Sequence, residues 1–350
     1  MIASDTGAAF ARISPAMDAV GVVVIGRNEG ERLRLCLESL QHLRHRVYVD
    51  SGSTDGSQAL AAAEGFDVVQ LETPPNFTAA RARNAGFKRL LETKPDLELV
   101  QMVDGDCEVE ASWLASAAEA LRNDAQLAVV FGRRRERFPE ASVYNMICDD
   151  EWNVPIGEAR SCGGDAMFRV RALAEAGGYT PTLIAGEEPD LCLRLRQKGW
   201  RIYRIDAPMT VHDAHITRFS QWWKRAQRSG HAFAELTHRH GLHSDRGWKR
   251  DTARILGWGG GLVAACIFIL TGFVLGAAWL IYLGAGTVGL FAAQTMRLVL
   301  LRRRRCHSVR EAVPWAMLLM LGKIPQLQGL IQYHLRRGND ARFKLIEYKS

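Results

Sequence analysis

The sequence lacks the marks of several common protein classes. Its seven cysteines are an odd number, are widely scattered and form no C-x-x-C pair, so no zinc or redox centre is indicated. Residues 1–19 have neither a basic start nor a long apolar run, and Asp5 stands early among them. They do not resemble a signal peptide, and we expect reduced thiols and a cytoplasmic location for the first half of the chain.

Charge is absent from one long stretch. Between Arg254 and Arg297, 42 consecutive residues include no Asp, Glu, Lys, Arg or His. One helix of that length would extend over roughly 63 Å at about 1.5 Å per residue, about twice the ~30 Å hydrocarbon thickness of a bilayer. The stretch therefore predicts two transmembrane helices, at 255–275 and 277–296, with a turn near 272–278. A buried helical hairpin in a soluble protein is the alternative.

The net charge is +7, and basic residues cluster on both sides of this stretch, at 246–254 and 302–305. A hairpin returns the chain to its starting side, so the positive-inside rule places both clusters in the cytoplasm. Membrane lipid is the expected partner, and nucleic acid is not, since no recognition motif accompanies the charge. The histidines at 231–243 predict a solvent-exposed, basic (wet) face near the membrane. The apolar run 312–322 predicts a helix that lies in the membrane interface.

Upstream, short β-branched runs alternate with helical patterns, which is typical of a parallel α/β sheet. The predicted strands are 20–25, 46–49, 68–71, 97–103 and 127–131, and the predicted helices are 31–43, 56–64, 79–91 and 112–121, the last capped by Ser112. Ligands of such sheets gather at the carboxyl ends of the strands. Polar clusters follow three of these ends, at 26–29, 50–53 and 104–106, and predict one shared crevice.

Asp104 and Asp106 are separated by one glycine directly after an apolar strand. Both carboxylates can reach a single hard cation there, because such ions prefer oxygen ligands. An ordinary acidic turn is the alternative. A calcium-binding EF-hand loop is excluded, since Val109 stands where that loop needs glycine.

This D-x-D pair is one of several motifs that follow each other along the chain. Asp50 lies in VYVDSGSTDGS, and then follow RARNAG (81–86), DGD (104–106), GGDAMFR (163–169) and GEEPDL (186–191). The ordered set resembles glycosyltransferase family 2 over roughly residues 20–228. The resemblance implies the GT-A fold, a Rossmann-like α/β domain that uses nucleotide-diphospho-sugars, here followed by a C-terminal transmembrane hairpin.

The resemblance also implies roles for individual residues. Donor binding would fall on Asn28, Glu29, Asp50, Arg83, Asn84 and Asp104. Asp50 matches the aspartate that contacts the base, typically uracil, so a UDP-sugar is the expected donor. The metal ligands would be Asp104, Asp106 and His212, which would hold Mn²⁺ or Mg²⁺. For Arg83, the solvated surface of a helix is an equally good interpretation.

The catalytic base is implied by GEEPDL, where Glu188 stands in place of the family's aspartate. A glutamate can deprotonate an acceptor hydroxyl for a single inverting displacement, and Glu187 is the alternative base. Acceptor binding or positioning would fall on Gly164, Asp165, Asp190, Trp222 and Trp223. Asp190 has a second interpretation as the cap of a helix at 191–198. Residues 221–225 match the family's Gln-x-x-Arg-Trp element poorly, which argues against processive synthesis.

Together these patterns predict five regions. They are a flexible segment (1–18), a GT-A domain (19–215), a basic juxtamembrane segment (216–254), two transmembrane helices (255–296) and a basic, partly interfacial C-terminal region (297–350). The expected activity is metal-dependent sugar transfer to a lipid-linked or polysaccharide acceptor at the inner membrane. A catalytically silent scaffold and a nucleotidyltransferase are the alternatives, although residues 27–30 lack the glycine-rich triphosphate loop that the second requires.

Overall fold

The structure is a computed structural model that describes residues 17–73, 77–304 and 308–336. The chain divides into two compact units. Among the described residues, the sheet unit comprises those in 17–137, 152–183 and 187–213, and the helical unit comprises those in 138–151, 184–186 and 214–336. Most of the predicted flexible segment 1–18 lies outside the described residues, as do Arg305 and the C-terminal residues 337–350.

A mixed, nine-stranded sheet forms the centre of the sheet unit. Its strands are β1 (Val20–Gly26), β2 (His45–Asp50), β3 (Asp67–Gln70), β4 (Leu99–Asp104), β5 (Cys107–Val109), β6 (Leu127–Glu136), β7 (Gly157–Glu158), β8 (Ala166–Arg169) and β9 (Arg201–His212). Their order across the sheet is β3-β2-β1-β4-β8-β6-β9-β5, and β7 pairs with β9.

The predicted α/β class is confirmed, and the strands β3, β2, β1 and β4 run parallel as expected. The sheet as a whole is mixed, because β8, a strand that was not predicted, pairs antiparallel with both β4 and β6. The cause is topological. Strand β8 enters the sheet between two strands that precede it in the chain, and a local pattern of apolar residues carries no information about such long-range pairing.

The helices are α1 (Glu31–Ser39), α2 (Ser57–Ala63), α3 (Ala79–Thr93), α4 (Trp113–Asn123), α5 (Val143–Trp152), α6 (Val170–Glu175), α7 (Glu187–Gln197), α8 (Phe219–His240), α9 (Arg246–Arg254), α10 (Gly261–Leu275), α11 (Ala278–Arg303), α12 (Val309–Leu321) and α13 (Lys323–Arg336). Ser112 makes no side-chain capping bond to α4, so that prediction is wrong. Thr78 does cap α3, by accepting a hydrogen bond from the backbone nitrogen of Arg81.

The central strands are buried on both faces, which explains their continuous apolar runs. Val22, Val23 and Val24 of β1 are all fully buried. Helix α3 lies close against β1 because Gly86 has no side chain: a Cβ there would lie 2.3 Å from Cγ1 of Val23. This contact fixes α3, the helix that carries two of the predicted site residues, against the sheet.

The predicted hairpin is present in the helical unit. Residues 246–275 form a continuous helix of 30 residues, in which a π-helical turn (Ile255–Gly260) joins α9 to α10, and α11 has 26 residues. Gly276 ends α10 with a left-handed φ of 64°, which favours glycine. By length and composition both helices are candidate membrane spans.

Two shorter helices follow the hairpin. Helix α12 contains most of the predicted apolar run and begins with a capping box between Ser308 and Glu311. Helix α13 begins directly after it, at Lys323. An interfacial location for α12 remains a prediction.

Helices α8 and α13 approach each other very closely. A Cβ at Gly230 would lie 1.9 Å from the carbonyl oxygen of Gln326, and one at Gly329 would lie 1.9 Å from that of Gln227. Glycine at both positions therefore permits the crossing. His231 is buried in the same interface, with 2% of its surface exposed. The predicted wet histidine face is wrong for this residue, because sequence spacing alone did not reveal that α13 covers it.

The end of α11 is tied to α5 and α12 by a buried arginine. Arg302 is 6% exposed, and its Nη1 lies 2.7 Å from Oδ1 of Asp150. Its guanidinium also lies over the ring of Trp315, 4.5 Å from the centroid. The Trp315 indole donates to Oδ2 of Asp150 at 3.1 Å. These three residues hold together three helices of the helical unit.

Candidate active site

The loops that follow β1 and β2 are joined through Asn28. Its backbone nitrogen donates to Oγ of Ser53 at 3.0 Å, and its Oδ1 accepts from the nitrogen of Thr54 at 2.8 Å. Asn28 adopts a φ of 55°, a conformation that asparagine tolerates better than most residues. Asn28 is exposed and Glu29 is half-buried beside it, and their contact with a donor remains a prediction.

Asp50, at the end of β2, organises the loop after it. Its Oδ2 accepts hydrogen bonds at 2.9 Å from the backbone nitrogens of Gly52 and Ser53 and from the side chain of Gln58. Burial alone would raise the pKa of Asp50, but hydrogen bonds from Ser53, Gln58 and Gly52 outweigh it and lower the pKa. The carboxylate is therefore ionised and 1% exposed, and direct contact with a base remains a prediction.

Asn84 uses its side chain to hold another loop. Its Nδ2 donates to the carbonyl of Tyr179 at 2.7 Å, and its Oδ1 accepts from the nitrogen of Tyr179 at 2.8 Å. Both amide atoms are thus used on one backbone segment. This geometry gives Asn84 a positioning role, which the sequence did not predict, and its contact with the nucleotide is untested.

The two aspartates of the D-x-D motif face different partners. Asp106 is 4% exposed, and its Oδ2 lies 3.1 Å from Nε2 of His212. Asp104 instead bonds to two arginines, Arg83 at 2.7 Å and Arg134 at 3.2 Å. The structure therefore brings the predicted ligands Asp106 and His212 together, while Asp104 lies beside positive charge.

The Asp106–His212 pair has ligand atoms and a spacing that fit a divalent cation such as Mn²⁺. Two adjacent ligands at about 2.1 Å from an octahedral ion lie about 3 Å apart, close to the separation observed. Burial lowers the pKa of His212, so its imidazole is neutral and able to ligate. Its other nitrogen, Nδ1, faces Glu136 at 3.8 Å, the kind of carboxylate that orients a ligating imidazole.

Cys107 also lies near these atoms, within the same group of potential ligands. Burial raises the pKa of the Cys107 thiol. Sulfur is a soft ligand that suits zinc and copper, whereas carboxylate oxygens suit Mn²⁺ and Mg²⁺. Asp106 and His212 are therefore the residues of this group that fit Mn²⁺ or Mg²⁺.

Arg83 occupies the centre of the site. Its Nη2 lies 2.7 Å from Oδ1 of Asp104, and its Nη1 lies 2.9 Å from Oε1 of Glu187 and 3.8 Å from Oε1 of Glu188. The side chain is 2% exposed and stacks over Tyr179. The interpretation of Arg83 as a solvated helix surface is therefore wrong, because α3 presents it to buried carboxylates.

Glu187 and Glu188 lie in the first turn of α7. Burial, followed by the charge of Glu187, raises the pKa of Glu188 to about 7, and the charge of Arg83 only partly offsets this. The Glu188 side chain is 17% exposed, compared with 7% for Glu187. A carboxylate that is partly accessible and has a pKa near neutrality is suited to general-base work.

Asp190 lies within α7, which begins at Glu187 rather than at the predicted residue 191. Its Oδ2 accepts from the hydroxyl of Thr180 at 2.7 Å and from Nε of Arg194 at 3.0 Å. The capping interpretation is therefore wrong, because the helix has already started. The contacts support the positioning interpretation, since Thr180 belongs to the loop that Asn84 also holds.

Gly164 and Asp165 shape the surroundings of Asp104. A Cβ at Gly164 would lie 2.6 Å from Oδ2 of Asp104 and 3.0 Å from Nη2 of Arg83. The buried Asp165 accepts from the backbone nitrogen of Asp104 at 3.0 Å and from the hydroxyl of Thr210 at 2.8 Å. Both residues thus position the D-x-D turn.

Two residues of the site were missed by the sequence analysis. Arg134, in β6, bonds to Asp104 and Asp165, and the indole of Trp152 lies over its guanidinium at 5.3 Å. The edge contact between Trp152 and His212 has ring centroids 4.7 Å apart. The available signal was the run of arginines at 133–135, which is unusual at the end of an apolar strand.

Trp222 and Trp223, predicted to contact an acceptor, belong to α8 in the helical unit. Trp222 is 6% exposed and stacks on Tyr144 with centroids 6.0 Å apart. The indole of Trp223 donates to Oε1 of Gln328 at 3.0 Å. Both are packed within their own unit, and a role in acceptor binding remains a prediction.

The chain is similar to known glycosyltransferases in sequence and in fold. The sequence profile of Glycosyl transferase family 2 matches residues 21–173. The Pre-mycofactocin glycosyltransferase of Mycobacterium tuberculosis is 26% identical over 242 residues, covering 65% of this chain and 49% of that protein. The Succinoglycan biosynthesis protein ExoA of Rhizobium meliloti is 24% identical over 223 residues, covering 58% of this chain and 66% of that protein. This chain thus spans about half the length of the mycobacterial relative.

Among solved structures, a mannosyltransferase from Pyrobaculum calidifontis in complex with GDP-Man and Mn²⁺ superposes with a TM-score of 0.55. The match covers 90% of this chain and 87% of the other at 17% identity, which shows a shared fold. The family and fold implied by the motifs are therefore confirmed. Residues 21–173 thus form a glycosyl transferase family 2 domain, and the chain has the GT-A fold.

Proposed function

We propose that this protein transfers one sugar from a nucleoside diphosphate to a hydroxyl group of a lipid-linked or polysaccharide acceptor, with inversion. The observation that carries the proposal is the position of Arg83. One buried guanidinium contacts Asp104 of the D-x-D turn and Glu187 of α7. It thereby holds the proposed donor end of the site next to the proposed base.

The donor end is suited to a diphosphate. Asp106 and His212 would hold the divalent cation, which, when bound, stabilises the negative charge that develops on the leaving diphosphate. The Mn²⁺ in the archaeal mannosyltransferase of the same fold supports a divalent cation in general. Asn28, Glu29 and Asp50 would bind the nucleoside. We propose a UDP-sugar because Asp50 matches the family's uracil-contacting aspartate.

The acceptor end depends on Glu188. Its carboxylate would accept the proton of the acceptor hydroxyl as that oxygen attacks the anomeric carbon and the bond to the diphosphate breaks. One displacement inverts the configuration at that carbon. The pKa of about 7 lets Glu188 be substantially ionised near neutral pH and still hold a proton effectively. Glu187 is the weaker candidate, since it is bonded to Arg83.

The helical unit would anchor the enzyme in the inner membrane. Large apolar side chains of the hairpin are exposed, among them Leu270 at 65%, Phe273 at 71% and Tyr282 at 75%. Such an apolar surface is costly in water but favourable in lipid. The basic residues before α10 and at the end of α11 favour the cytoplasm. We also propose the region boundaries predicted from the sequence, which end the GT-A domain at residue 215, the juxtamembrane segment at 254 and the transmembrane helices at 296.

The test is transfer by the full-length protein in membranes. Labelled UDP- and GDP-sugars would be supplied with Mn²⁺ or Mg²⁺, and label would be counted in the lipid and polysaccharide fractions. The proposal expects label from at least one donor in wild type and in Glu151→Gln, a control in the helical unit, and none in Asp106→Ala. If no donor is consumed under any condition, the protein is a silent scaffold of the same fold.

A further inference from the structure

A second group of potential metal ligands lies beside Asp106 and His212. Asp104, Cys107 and Asp165 bring ligand atoms within 4.8 Å of one another. Carboxylates at such spacing are able to bind a hard cation. The sheet unit therefore contains two neighbouring groups of potential ligands, although a single ion suffices for the proposed reaction.

The second group already contains a positive charge. Nη2 of Arg134 lies 2.6 Å from Oδ2 of Asp165 and 3.2 Å from Oδ2 of Asp104. The same nitrogen lies 3.6 Å from the sulfur of Cys107. Nε of Arg134 also donates to Asp165, at 2.9 Å. One guanidinium thus contacts all three potential ligands of the group.

We propose that Arg134 is a built-in cation that occupies this second group and restricts the enzyme to one divalent ion, held by Asp106 and His212. The inference rests on the proposed metal-dependent function and assigns a positioning role to a residue outside the family motifs. It does not require Arg134 to touch the donor, the acceptor or the ion.

Charge balance explains why the position carries a positive charge, and the contact with two carboxylates favours arginine over lysine. Asp165 is fully buried and Asp104 is 28% exposed, so two carboxylates lie close together with little water to screen them. Adjacent carboxylates cannot both ionise cheaply unless a positive charge compensates them. Arginine is always charged and its planar group can bond two carboxylates at once, whereas a lysine offers one point charge.

Trp152 connects the built-in cation to the proposed ion site. Its ring lies 5.3 Å from the Arg134 guanidinium and meets the His212 ring edge-on, at 85° and 4.7 Å. The indole therefore lies against both, and fixes the imidazole relative to the guanidinium. Through this indole, Arg134 would also help to position the Asp106–His212 pair without touching it.

The test counts bound Mn²⁺ by the loss of the free-ion electron paramagnetic resonance signal, using purified full-length protein without donor or acceptor. We expect one Mn²⁺ per chain in wild type. Arg134→Met removes the cation that contacts Asp165 and leaves Asp104 with Arg83 alone, so we expect this variant to bind two. Arg134→Lys restores a positive charge, and we expect it to return the count to one. A merely structural role for Arg134 would not change this count.

A second pair of variants decides the question even if Arg134→Met does not fold. Asp165→Asn should keep the wild-type Mn²⁺ affinity within a few-fold, because Arg134 and not the ion contacts Asp165, whereas Asp106→Asn should lose binding. The inference is overturned if Arg134→Met folds and still binds one ion, if Asp165→Asn loses binding as Asp106→Asn does, or if wild type binds none. A wild type that binds one Mn²⁺ but transfers no sugar would contradict the proposed function alone.

Discussion

The carboxylate of Glu188 lies 3.8 Å from the guanidinium of Arg83, close enough to interact with its charge but beyond hydrogen-bond distance. The neighbouring Glu187 is bonded to the same guanidinium at 2.9 Å. Two adjacent glutamates in one helical turn thus have different environments. Glu187 forms an ion pair with Arg83, whereas Glu188 has a raised pKa that suits a general base.

The first prediction separates these two roles. Glu188→Gln keeps the shape of the side chain but cannot accept a proton, so we expect kcat to fall by roughly 10²–10⁴-fold with little change in donor binding. Glu187→Gln removes the negative charge that pairs with Arg83, and it should lower the melting temperature more, and kcat less, than Glu188→Gln does. Steady-state kinetics and thermal unfolding of both variants give the comparison. The reverse pattern would make Glu187 the base.

The second prediction concerns pH. The base must be deprotonated to act, so kcat/KM should fall as the pH drops below about 7, the pKa of Glu188, approaching tenfold per pH unit. The charge of Glu187 contributes to raising that pKa. Glu187→Gln removes this charge, so its acidic limb should move to lower pH. An acidic limb that does not move would show that another group controls the profile.

The third prediction concerns the crossing of α8 and α13. Gly230→Ala places a Cβ about 2 Å from the Gln326 backbone oxygen. Only a shift of the backbone can relieve this clash, and we expect the shift to lower the free energy of unfolding by about 1–3 kcal/mol. Gly289→Ala, a helical position with nothing within 4 Å of the added atom, is the control. Thermal unfolding in detergent should show a lower transition for the first variant alone. Equal transitions for both would contradict the crossing geometry.

The fourth prediction compares two ion pairs of α5. Arg302 is buried, and Asp150→Asn removes the charge of its partner in this pair. We expect the free energy of unfolding to fall by about 2 kcal/mol. This is less than the ~3–5 kcal/mol typical of a fully buried pair, because about a third of the Asp150 side chain is exposed. The Glu151–Arg225 pair is more exposed, so Glu151→Gln should lower the free energy of unfolding by only about 0–1 kcal/mol. Denaturant unfolding distinguishes them. Equal losses would contradict the role assigned to Arg302.

Local patterns predicted the parts of this fold that are themselves local. The strands β1 to β4 and the hairpin followed from apolar periodicity and from the absence of charge, and Asp106 and His212 meet as the motif order implied. Arg83 was ambiguous in the sequence, because its spacing on α3 fits either a buried or an exposed face. Only the packing of Gly86 against Val23 shows which face is buried.

The features that were missed depend on contacts between distant segments. Arg134 reaches Asp165 because β6 pairs with β8. Trp152 and His212 are far apart in the chain, and local periodicity does not reveal contacts between such distant residues. The burial of His231 requires α13, more than 90 residues later. In each case the long-range packing, and not the residue type, determined the environment.

The most direct test of the account is the binding of nucleotide sugars to the full-length protein, measured by calorimetry with and without Mn²⁺. We predict that one donor binds wild type only when Mn²⁺ is present, that Asp106→Ala abolishes this binding, and that Glu188→Gln keeps it but loses turnover. Equal binding with and without Mn²⁺, or unchanged binding in Asp106→Ala, would contradict the assignment of the Asp106–His212 pair as the metal site.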